Sequence, residues 1–402
     1  MFFNSYKKTF LENNSAIYWG GETHDRIWDE GTMYLYFFVV LITFYYSWKC
    51  EKYSRELSRY RGKSGTRKKK FVESFVLIQL ILLCIMGLRG SWVGMDTIVY
   101  SQTFESATSL SAIFNDGSTT EPLYKIIQFL LRAVFSSRYI AIFIFSSCII
   151  YFVFNTIRSQ RACLCLIISI PAFVCLYYYQ SFNLIRITLA ASFMLWKMPL
   201  LVDEKYKSYS CCILLATMMH YSSMVLFFPL LLLILYKRNR LLAYVGVICS
   251  ILLIIMSTKI LGDYISLINR YESYITGNES TGKVGLAFFI DYLPCICICY
   301  YIIRRKIRSE YADLMLCFTA SAVIIRLLAY YITVAGRLST HFMTLTIILL
   351  PYWLNYIRIS DKRRYNLLLP VCVIWLLIRL HIYFMGYLSS DGIMPYCFFW
   401  NE

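Results

Sequence analysis

Charged residues are scarce in this chain, and their scarcity excludes a water-soluble protein. Asp, Glu, Lys and Arg make up 16% of the 402 residues, whereas soluble domains carry about 25%. Hydrophobic residues reach 59%, and long apolar blocks need lipid as their solvent. The net charge of +17 does not indicate a nucleic-acid partner, because the Lys and Arg residues lie in short loops. The composition therefore predicts an all-α polytopic membrane protein.

Apolar blocks long enough to cross a hydrocarbon core, about 20 helical residues, predict ten clear crossings. They cover residues 32–48, 71–88, 139–157, 162–179, 184–202, 241–257, 285–303, 311–333, 341–357 and 366–387. A further block, 209–236, is too long for one upright span and too short for two full ones. The polar segment His220-Tyr-Ser-Ser223 interrupts it, and we interpret the block as two short helices joined at His220.

The distribution of Lys and Arg decides between one and two crossings in this block. Cytoplasmic loops concentrate these residues, and two crossings place most of them on one side. The sequence therefore predicts about twelve transmembrane helices with both termini outside. The predicted parts are an outer N-terminal segment at 1–31, a single transmembrane domain at 32–402, a cytoplasmic basic loop at 49–70, and outer loops at 89–138 and 258–284.

The short helix pair at His220 predicts an outward-facing cavity. A helix of about 11 residues rises only about 16 Å, so its turn lies within the depth of the membrane. Irregular backbone is tolerated there only where protein or a water-filled cavity surrounds it. The amphipathic segment 121–136 begins with Pro122 in its first turn and carries Lys125 and Arg132. This pattern predicts an interfacial or re-entrant helix on the outer face.

Polar residues collect at the outward ends of the predicted spans. They are Arg89, Asp96, Tyr100, Glu121, Asn183, Arg186, His220, Arg337 and His341. Each has an ordinary interpretation: an arginine at a span end often snorkels to the headgroups, Asp96 fits a helix cap, and Asn183 shares a helical face with Arg186. Three outward arginines nevertheless oppose the usual bias of positive charge. Because arginine binds two phosphate oxygens at once and stays protonated, we expect a lipid pyrophosphate ligand.

The fifteen cysteines predict neither a disulfide framework nor a metal site. Most lie inside apolar blocks, where a thiol acts as a small apolar filler. In the run Cys295, Cys297 and Cys299, helical residues two apart point about 200° apart, and no second cluster completes four ligands. We therefore expect no structural disulfide and no metal.

Short motifs follow one another from residue 71 to the end of the chain. They are Arg89-Gly, Val93-Gly-x-Asp96-Thr97-x-x-Tyr100, Glu121-Pro122-x-Tyr124, Phe182-Asn183-x-x-Arg186, His220-x-Ser222, Gly336-Arg337-Leu338 and Pro395-Tyr396. With these motifs the chain resembles the EpsG family of polysaccharide polymerases, relatives of the Wzy O-antigen polymerases. It departs from the family pattern at Met95, at Ile187 and in an extension ahead of the first span.

The resemblance implies a membrane glycosyltransferase of the GT-C type in the bacterial inner membrane, with its active site toward the periplasm. Such an enzyme transfers a growing O-antigen, capsule or exopolysaccharide chain from undecaprenyl pyrophosphate to the nonreducing end of another lipid-linked repeat unit. It uses no nucleotide sugar, cofactor or metal. The implied partners are the undecaprenyl-pyrophosphate-linked oligosaccharide and membrane lipid, with a chain-length regulator and a flippase as further candidates and no nucleic acid.

Glycan transfer needs a base for the acceptor hydroxyl and cations for the leaving pyrophosphate. We expect His220 or Asp96 to be the catalytic base, with Glu121 as the third candidate. An unperturbed histidine has a pKa of about 6.5, whereas an aspartate needs burial to raise its pKa. The residues expected to bind the substrate or its pyrophosphate are Arg89, Arg186, Arg337, Asn183, Glu121, Tyr100 and His341.

Other classes of membrane protein stay open on the sequence. A lipid-linked oligosaccharide flippase or other transporter also needs cationic cavity residues and twelve crossings, and it predicts repeat symmetry, although the sequence shows no evident internal repeat. A membrane O-acyltransferase needs a cytoplasmic donor site, whereas the polar cluster is predicted outside. A glycan ligase shares the polymerase chemistry, and residues alone do not separate the two.

Overall fold

A computed structural model gives the fold. It describes residues 3–12, 17–19, 22–24, 27–59, 65–114, 120–256, 290–331 and 333–402. These residues are mostly helical, apart from a short antiparallel hairpin formed by β1 (Ile17–Trp19) and β2 (Glu22–His24). The predicted outer loop 258–284 lies outside the described residues.

The helices alternate long apolar segments with short connecting ones. In chain order they are α1 (Asn4–Glu12), α2 (Glu30–Arg59), α3 (Gly65–Gly87), α4 (Met95–Ser106), α5 (Leu110–Phe114), α6 (Pro122–Val134), α7 (Tyr139–Ser159), α8 (Leu166–Phe173), α9 (Gln180–Asn183), α10 (Ile185–Trp196), α11 (Pro199–Val202), α12 (Tyr206–Met219), α13 (Phe227–Arg238), α14 (Arg240–Met256), α15 (Leu293–Arg304), α16 (Glu310–Tyr331), α17 (Leu350–Ser360) and α18 (Lys362–Tyr387). Irregular turns join several of them: 3₁₀ turns at Tyr221–Leu226, Thr333–Phe342 and Phe399–Asn401, and π-helical turns at Val174–Tyr178 and Leu345–Leu349.

Several of these helices have the length and composition of membrane spans. Within the described ranges, seven are long and apolar enough to cross a membrane, or up to eight if a bent pair counts as one span. That pair joins Gly336–Phe342 to Leu345–Ser360 with a 45° bend. Shorter apolar helices lie at Leu166–Tyr178, Arg240–Leu252 and Leu293–Arg304. The chain is therefore a helical, multi-pass membrane protein.

The long apolar block 209–236 breaks at His220, as predicted. Helix α12 ends at Met219, His220 has extended backbone with φ −158° and ψ 117°, and a 3₁₀ turn then leads into α13. The 14 residues of α12 rise about 21 Å, less than the roughly 30 Å of a hydrocarbon core. The break thus presents the His220 side chain at the end of a short helix.

Two irregular stretches pack against each other in the core and place the polar motifs. The π-helical turn after α8 faces the π-helical turn before α17, where Tyr177 Oη lies 2.8 Å from Thr346 Oγ1. The Ser169 hydroxyl donates to the Ile347 carbonyl oxygen at 2.7 Å. These contacts are buried, so the local departures from α-helical geometry are supported by protein hydrogen bonds. The first stretch leads directly to Asn183.

The C-terminal segment folds back onto the loop between α3 and α4. The backbone N–H groups of Gly94 and Met95 donate to the carbonyl oxygens of Gly392 and Asp391 at 2.8 and 3.0 Å. Gly94 has φ +106°, and a Cβ there would overlap the Phe182 carbonyl oxygen, so the position requires glycine. This close approach brings Asp391 beside the start of α4.

Candidate functional site

Glu121 is the centre of a buried cluster of charged side chains. It is fully buried and lies directly before α6. Its Oε2 accepts a hydrogen bond from Arg186 Nη1 at 2.5 Å, and its Oε1 lies 2.8 Å from His220 Nδ1. The backbone N–H of Tyr221 also donates to Oε1, at 3.3 Å. Three motifs that are far apart in the sequence therefore meet at one carboxylate.

The guanidinium of Arg186 lies between two tyrosine rings. Its Cζ is 5.3 Å from the ring centroids of both Tyr100, on α4, and Tyr124, on α6, which is a cation–π distance. The Gln128 side-chain amide holds Tyr124 by donating to its hydroxyl at 2.6 Å. Only 17% of the Arg186 side chain is exposed. The rings keep water from the Arg186–Glu121 pair, which strengthens its electrostatic attraction.

The ionised Glu121 carboxylate orients the imidazole of His220. The pKa of Glu121 is about 2: burial alone would raise it, but the hydrogen bond from His220 and the charge of Arg186 lower it from 4.5. Glu121 is therefore an ionised acceptor at neutral pH, and His220 Nδ1 donates to it. A neutral His220 then keeps a lone pair on Nε2, and 22% of its side chain is exposed. A carboxylate that orients a histidine in this way is a recurring arrangement for base catalysis.

A second polar group surrounds the start of α4. The Asn183 Oδ1 accepts a hydrogen bond from the Asp96 backbone N–H at 2.8 Å, and its Nδ2 donates to Asp391 Oδ1 at 3.1 Å. The Tyr383 hydroxyl donates to Asp391 Oδ2 at 2.8 Å. Burial raises the pKa of Asp96, although the charges of Arg337 and Arg186 oppose that rise. Asp96 therefore lies within electrostatic reach of both arginines.

Arg337 lines an open cavity of about 380 Å³, and its side chain is exposed. The cavity walls come from the turn after α16, from α18 and from the C-terminal segment. Polar residues that line it are Gln180, Asp291, Arg326, Arg337, Ser339, Thr340, Arg379, Tyr383, Tyr387, Ser390 and Asp391. Arg337 makes no ion pair or hydrogen bond with the described residues, so its guanidinium is available to a ligand.

The remaining candidates pack beside these groups. His341 is buried, and its Nε2 lies 2.8 Å from the Ser222 hydroxyl. Because Ser222 belongs to the 3₁₀ turn that follows His220, this contact joins the turn to the Arg337 segment. The Tyr100 hydroxyl donates to the Asn183 carbonyl oxygen at 3.3 Å. Both contacts support the backbone that carries the charged side chains.

The structure places Arg89, a predicted binding residue, inside the protein and away from the cavity. Its side chain is fully buried and lies over the Phe182 ring at 5.1 Å. Nε donates to the Val93 carbonyl oxygen at 3.2 Å, Nη2 to that of Phe182 at 3.1 Å, and Nη1 to that of Met86 and to the Ser146 hydroxyl. These groups use most of its donors and enclose it in protein. Arg89 thus ties the end of α3 to α7 and α9.

Four charged residues at the cavity were not among the predicted site residues: Asp291, Arg326, Arg379 and Asp391. Arg326 and Arg379 fall within predicted spans, and a charged residue inside a span is itself a signal of function. Asp291 lies within another predicted span, 285–303, so the same signal applies to it. Asp391 lies in a C-terminal segment without periodicity, where the sequence offers no comparable signal.

Neither cluster has the ligand set of a metal site. Within the described residues, no group of three or more His, Cys, Asp or Glu side chains could hold a metal ion. All fifteen cysteine side chains are free. The polar chemistry available to a ligand is therefore that of carboxylate, imidazole, hydroxyl and guanidinium groups.

Fold and site together define a multi-pass helical membrane protein with a buried carboxylate–arginine–histidine cluster beside an arginine-lined cavity. The match of a family model to residues 73–398 shows that the chain belongs to the EpsG family. This confirms the resemblance drawn from its motifs, most of which contribute side chains or turns to the region described above. No match was found among the curated proteins or among the solved structures.

Proposed function

We propose that this chain is a polysaccharide polymerase. It transfers a growing glycan from undecaprenyl pyrophosphate to the nonreducing end of another lipid-linked repeat unit. The observation that carries the proposal is the Glu121–His220–Arg186 cluster, because it supplies an oriented base next to protected positive charge. Membership of the EpsG family supports the same general role.

The proposed topology is a GT-C-type arrangement of twelve crossings in the bacterial inner membrane, with both termini and the site on the periplasmic side. The bias of Lys and Arg to the loops on the opposite side supports this orientation. Helix α6, which follows Glu121, is then the interfacial helix of the outer face. The break at His220 and the bend after Phe342 supply the irregular backbone around the outward-facing cavity.

In the proposed reaction, Glu121 holds the Nδ1–H of His220, and His220 Nε2 accepts the proton of the acceptor hydroxyl. The hydroxyl oxygen attacks the anomeric carbon of the donor glycan. The bond from that carbon to the pyrophosphate oxygen breaks, and lipid pyrophosphate leaves with the electron pair. Arg337, in the cavity, is placed to balance this negative charge. Asp96 is the alternative base, because burial raises its pKa.

Surface glycans of a strain that lacks the gene test this proposal. We expect loss of the long-chain ladder with a single repeat unit retained, because export continues without polymerisation. Full-length chains in that strain would contradict the proposal. A flippase predicts a different result, in which the single unit is also lost from the surface and lipid-linked units accumulate on the cytoplasmic side.

A further inference from the structure

Three charged residues from separate helical segments meet on one wall of the cavity. Arg326, on α16, pairs its Nε with Asp291 Oδ2 at 2.7 Å, and Arg379, on α18, pairs its Nη1 with Asp291 Oδ1. Asp291 is buried ahead of α15, whereas 25% of the Arg326 side chain and 21% of the Arg379 side chain are exposed. Both guanidinium groups therefore face the cavity, and the buried Asp291 carboxylate lies behind them.

The charges at this wall do not balance. One carboxylate faces two guanidinium groups, and the same cavity holds Arg337 and a second carboxylate, Asp391. Asp391 already accepts hydrogen bonds from Asn183 and Tyr383, so its carboxylate is used near the start of α4 and does not pair with Arg326 or Arg379. An ion pair with a purely structural role needs only one cation for each carboxylate and a packed interior, because unpaired charge within the membrane is unfavourable. Two guanidinium groups that share one carboxylate at the wall of an open cavity instead fit an anionic ligand.

Arg326 and Arg379 also lie at a similar depth along their helices. Helices α16 and α18 both begin beside clusters of basic residues, at Glu310 and Lys362. At 1.5 Å per residue, Arg326 and Arg379 lie about 24 Å and about 26 Å along their helices. For a hydrocarbon core of about 30 Å, this is close to the opposite surface. An anion carried at a lipid headgroup would meet both side chains at that depth.

The other candidate arginines are less suited to an anion. Arg89 is enclosed by carbonyl oxygens, and Arg186 already pairs with Glu121 between two tyrosine rings. By contrast, Arg337 has no ion pair with a described residue and shares the cavity with Arg326 and Arg379. Planar guanidinium groups on two sides of a cavity suit a diphosphate, which offers oxygens in several directions.

We propose that Arg326, Arg379 and Arg337 form the binding site for the diphosphate of a lipid-linked substrate. Asp291 holds the Arg326 and Arg379 guanidinium groups in position when the site is empty and competes with the ligand for them. This assignment rests on the proposed polymerase function, since it names where that enzyme binds the lipid diphosphate. Arg186 is then a positioning residue for Glu121.

Binding of undecaprenyl diphosphate to the purified full-length chain in detergent tests the assignment. We expect Arg326→Gln and Arg379→Gln each to weaken binding about tenfold or more, because each removes a charge-assisted hydrogen bond. Asp291→Asn should tighten binding about threefold, because it removes the competing negative charge and keeps an oxygen acceptor. A merely structural cluster predicts no gain of affinity. Wild-type affinity in both arginine variants, or weaker binding in Asp291→Asn, would overturn the assignment.

Matched variants separate binding from folding and catalysis. Arg364→Gln removes an arginine that pairs with Asp361 in the first turn of the same helix, α18, and should keep wild-type affinity. Arg326→Lys and Arg379→Lys each keep a cation beside Asp291 and should fold as the wild type, yet each loses the planar guanidinium and should bind the diphosphate several-fold more weakly. A lysine variant with wild-type affinity would count against the diphosphate site.

Two further measurements identify the ligand and separate this assignment from the proposed polymerase function. Inorganic pyrophosphate should compete for the site more weakly than the lipid, and its competition should vanish in the same arginine variants. Equal affinity for both would reject a site built for a lipid headgroup. Glu121→Gln should retain diphosphate binding while losing polymerisation. If the strain lacking the gene makes normal long chains, the polymerase proposal fails, whatever the binding results show.

Discussion

Arg89 is fully buried and Arg186 is mostly buried, and both lie close to the Phe182–Asn183 segment, but their hydrogen-bond partners differ. Arg89 donates to the Phe182 carbonyl oxygen, just before Asn183, and its other donors go to main-chain carbonyls and one hydroxyl. Arg186 pairs with a buried carboxylate that also holds a histidine. Carbonyl partners fix a chain in place and do not change their charge. Carboxylate and imidazole partners can move or stabilise a proton.

From this difference we propose a structural role for Arg89 and a functional role for Arg186, a distinction that the sequence motifs do not make. Both residues begin or end a short motif at an outward end of a predicted span, so the sequence gives no reason to distinguish them. The partners decide their roles, and the partners come from α6, α7, α9 and the turn after α12. The comparison predicts that Arg89 variants lose the fold and Arg186 variants lose activity.

The largest effect is expected for Arg89→Ala. The substitution removes buried hydrogen bonds from the charged guanidinium to three carbonyl oxygens, and a hydrogen bond to a charged group contributes about 1.5–3 kcal/mol. We expect the protein to disappear from the membrane fraction, which quantitative immunoblotting measures. Arg364→Ala, at an exposed position of α18, is the control and should accumulate normally. Normal accumulation of the Arg89 variant would contradict the structural role of Arg89.

Arg186→Gln should accumulate normally but lose polymerisation by about 10²-fold or more, because the protected positive charge beside the base is removed. Glutamine keeps an N–H donor for Glu121 and so limits structural damage. Polymer chain length and protein level should be measured in the same cells. Loss of protein in proportion to activity would assign Arg186 the same structural role as Arg89.

Acid should destabilise the protein through Glu121 by about 1 kcal/mol between pH 6 and pH 4. Its pKa is about 2, against an ordinary value of 4.5, so the unfolded state takes up this proton first. The stabilisation is therefore complete above pH 4.5 and is lost as pH falls toward 2. Thermal unfolding at the two pH values should show a smaller decrease for Glu121→Gln than for the wild type. Equal decreases would show that Glu121 is not held as an ionised partner.

The smallest effect is expected for Asn183→Ala, about tenfold in polymer yield. Asn183 links the Asp96 backbone N–H to the Asp391 carboxylate, so its loss displaces α4 relative to the cavity without removing a charge. Asn183→Asp should be worse, because it sets two carboxylates against each other. An aspartate variant more active than the alanine variant would argue against the link to Asp391.

The sequence predicts the membrane class, the break at His220, the helix after Glu121 and the polar character of the site. These features depend on local pattern: apolar length, a polar interruption, and Pro122 at a helix start. It does not predict that Glu121 pairs with both Arg186 and His220, because the three residues belong to separate segments. Only packing of α6 against the helices that carry Arg186 and His220 brings them together.

The charged cavity wall was missed for a different reason. Arg326 and Arg379 lie inside apolar blocks that length and composition assign to membrane spans, although a charged residue within a span is itself a functional signal. Asp291 and Asp391 are their acidic counterparts at the cavity, and neither belongs to a recognisable motif. Arg89 shows the opposite case: its position at a span end predicts a binding role, and the sequence does not show the carbonyl oxygens that surround its side chain.

Glycan chain length in the deletion strain, complemented with Glu121→Gln at wild-type protein levels, tests the central claim most directly. Glu51→Gln is the matched control, because Glu51 is also buried and paired with an arginine, Arg55, but away from the site. We predict that Glu51→Gln restores the ladder and that Glu121→Gln leaves a single repeat unit. A full ladder from Glu121→Gln would contradict the account.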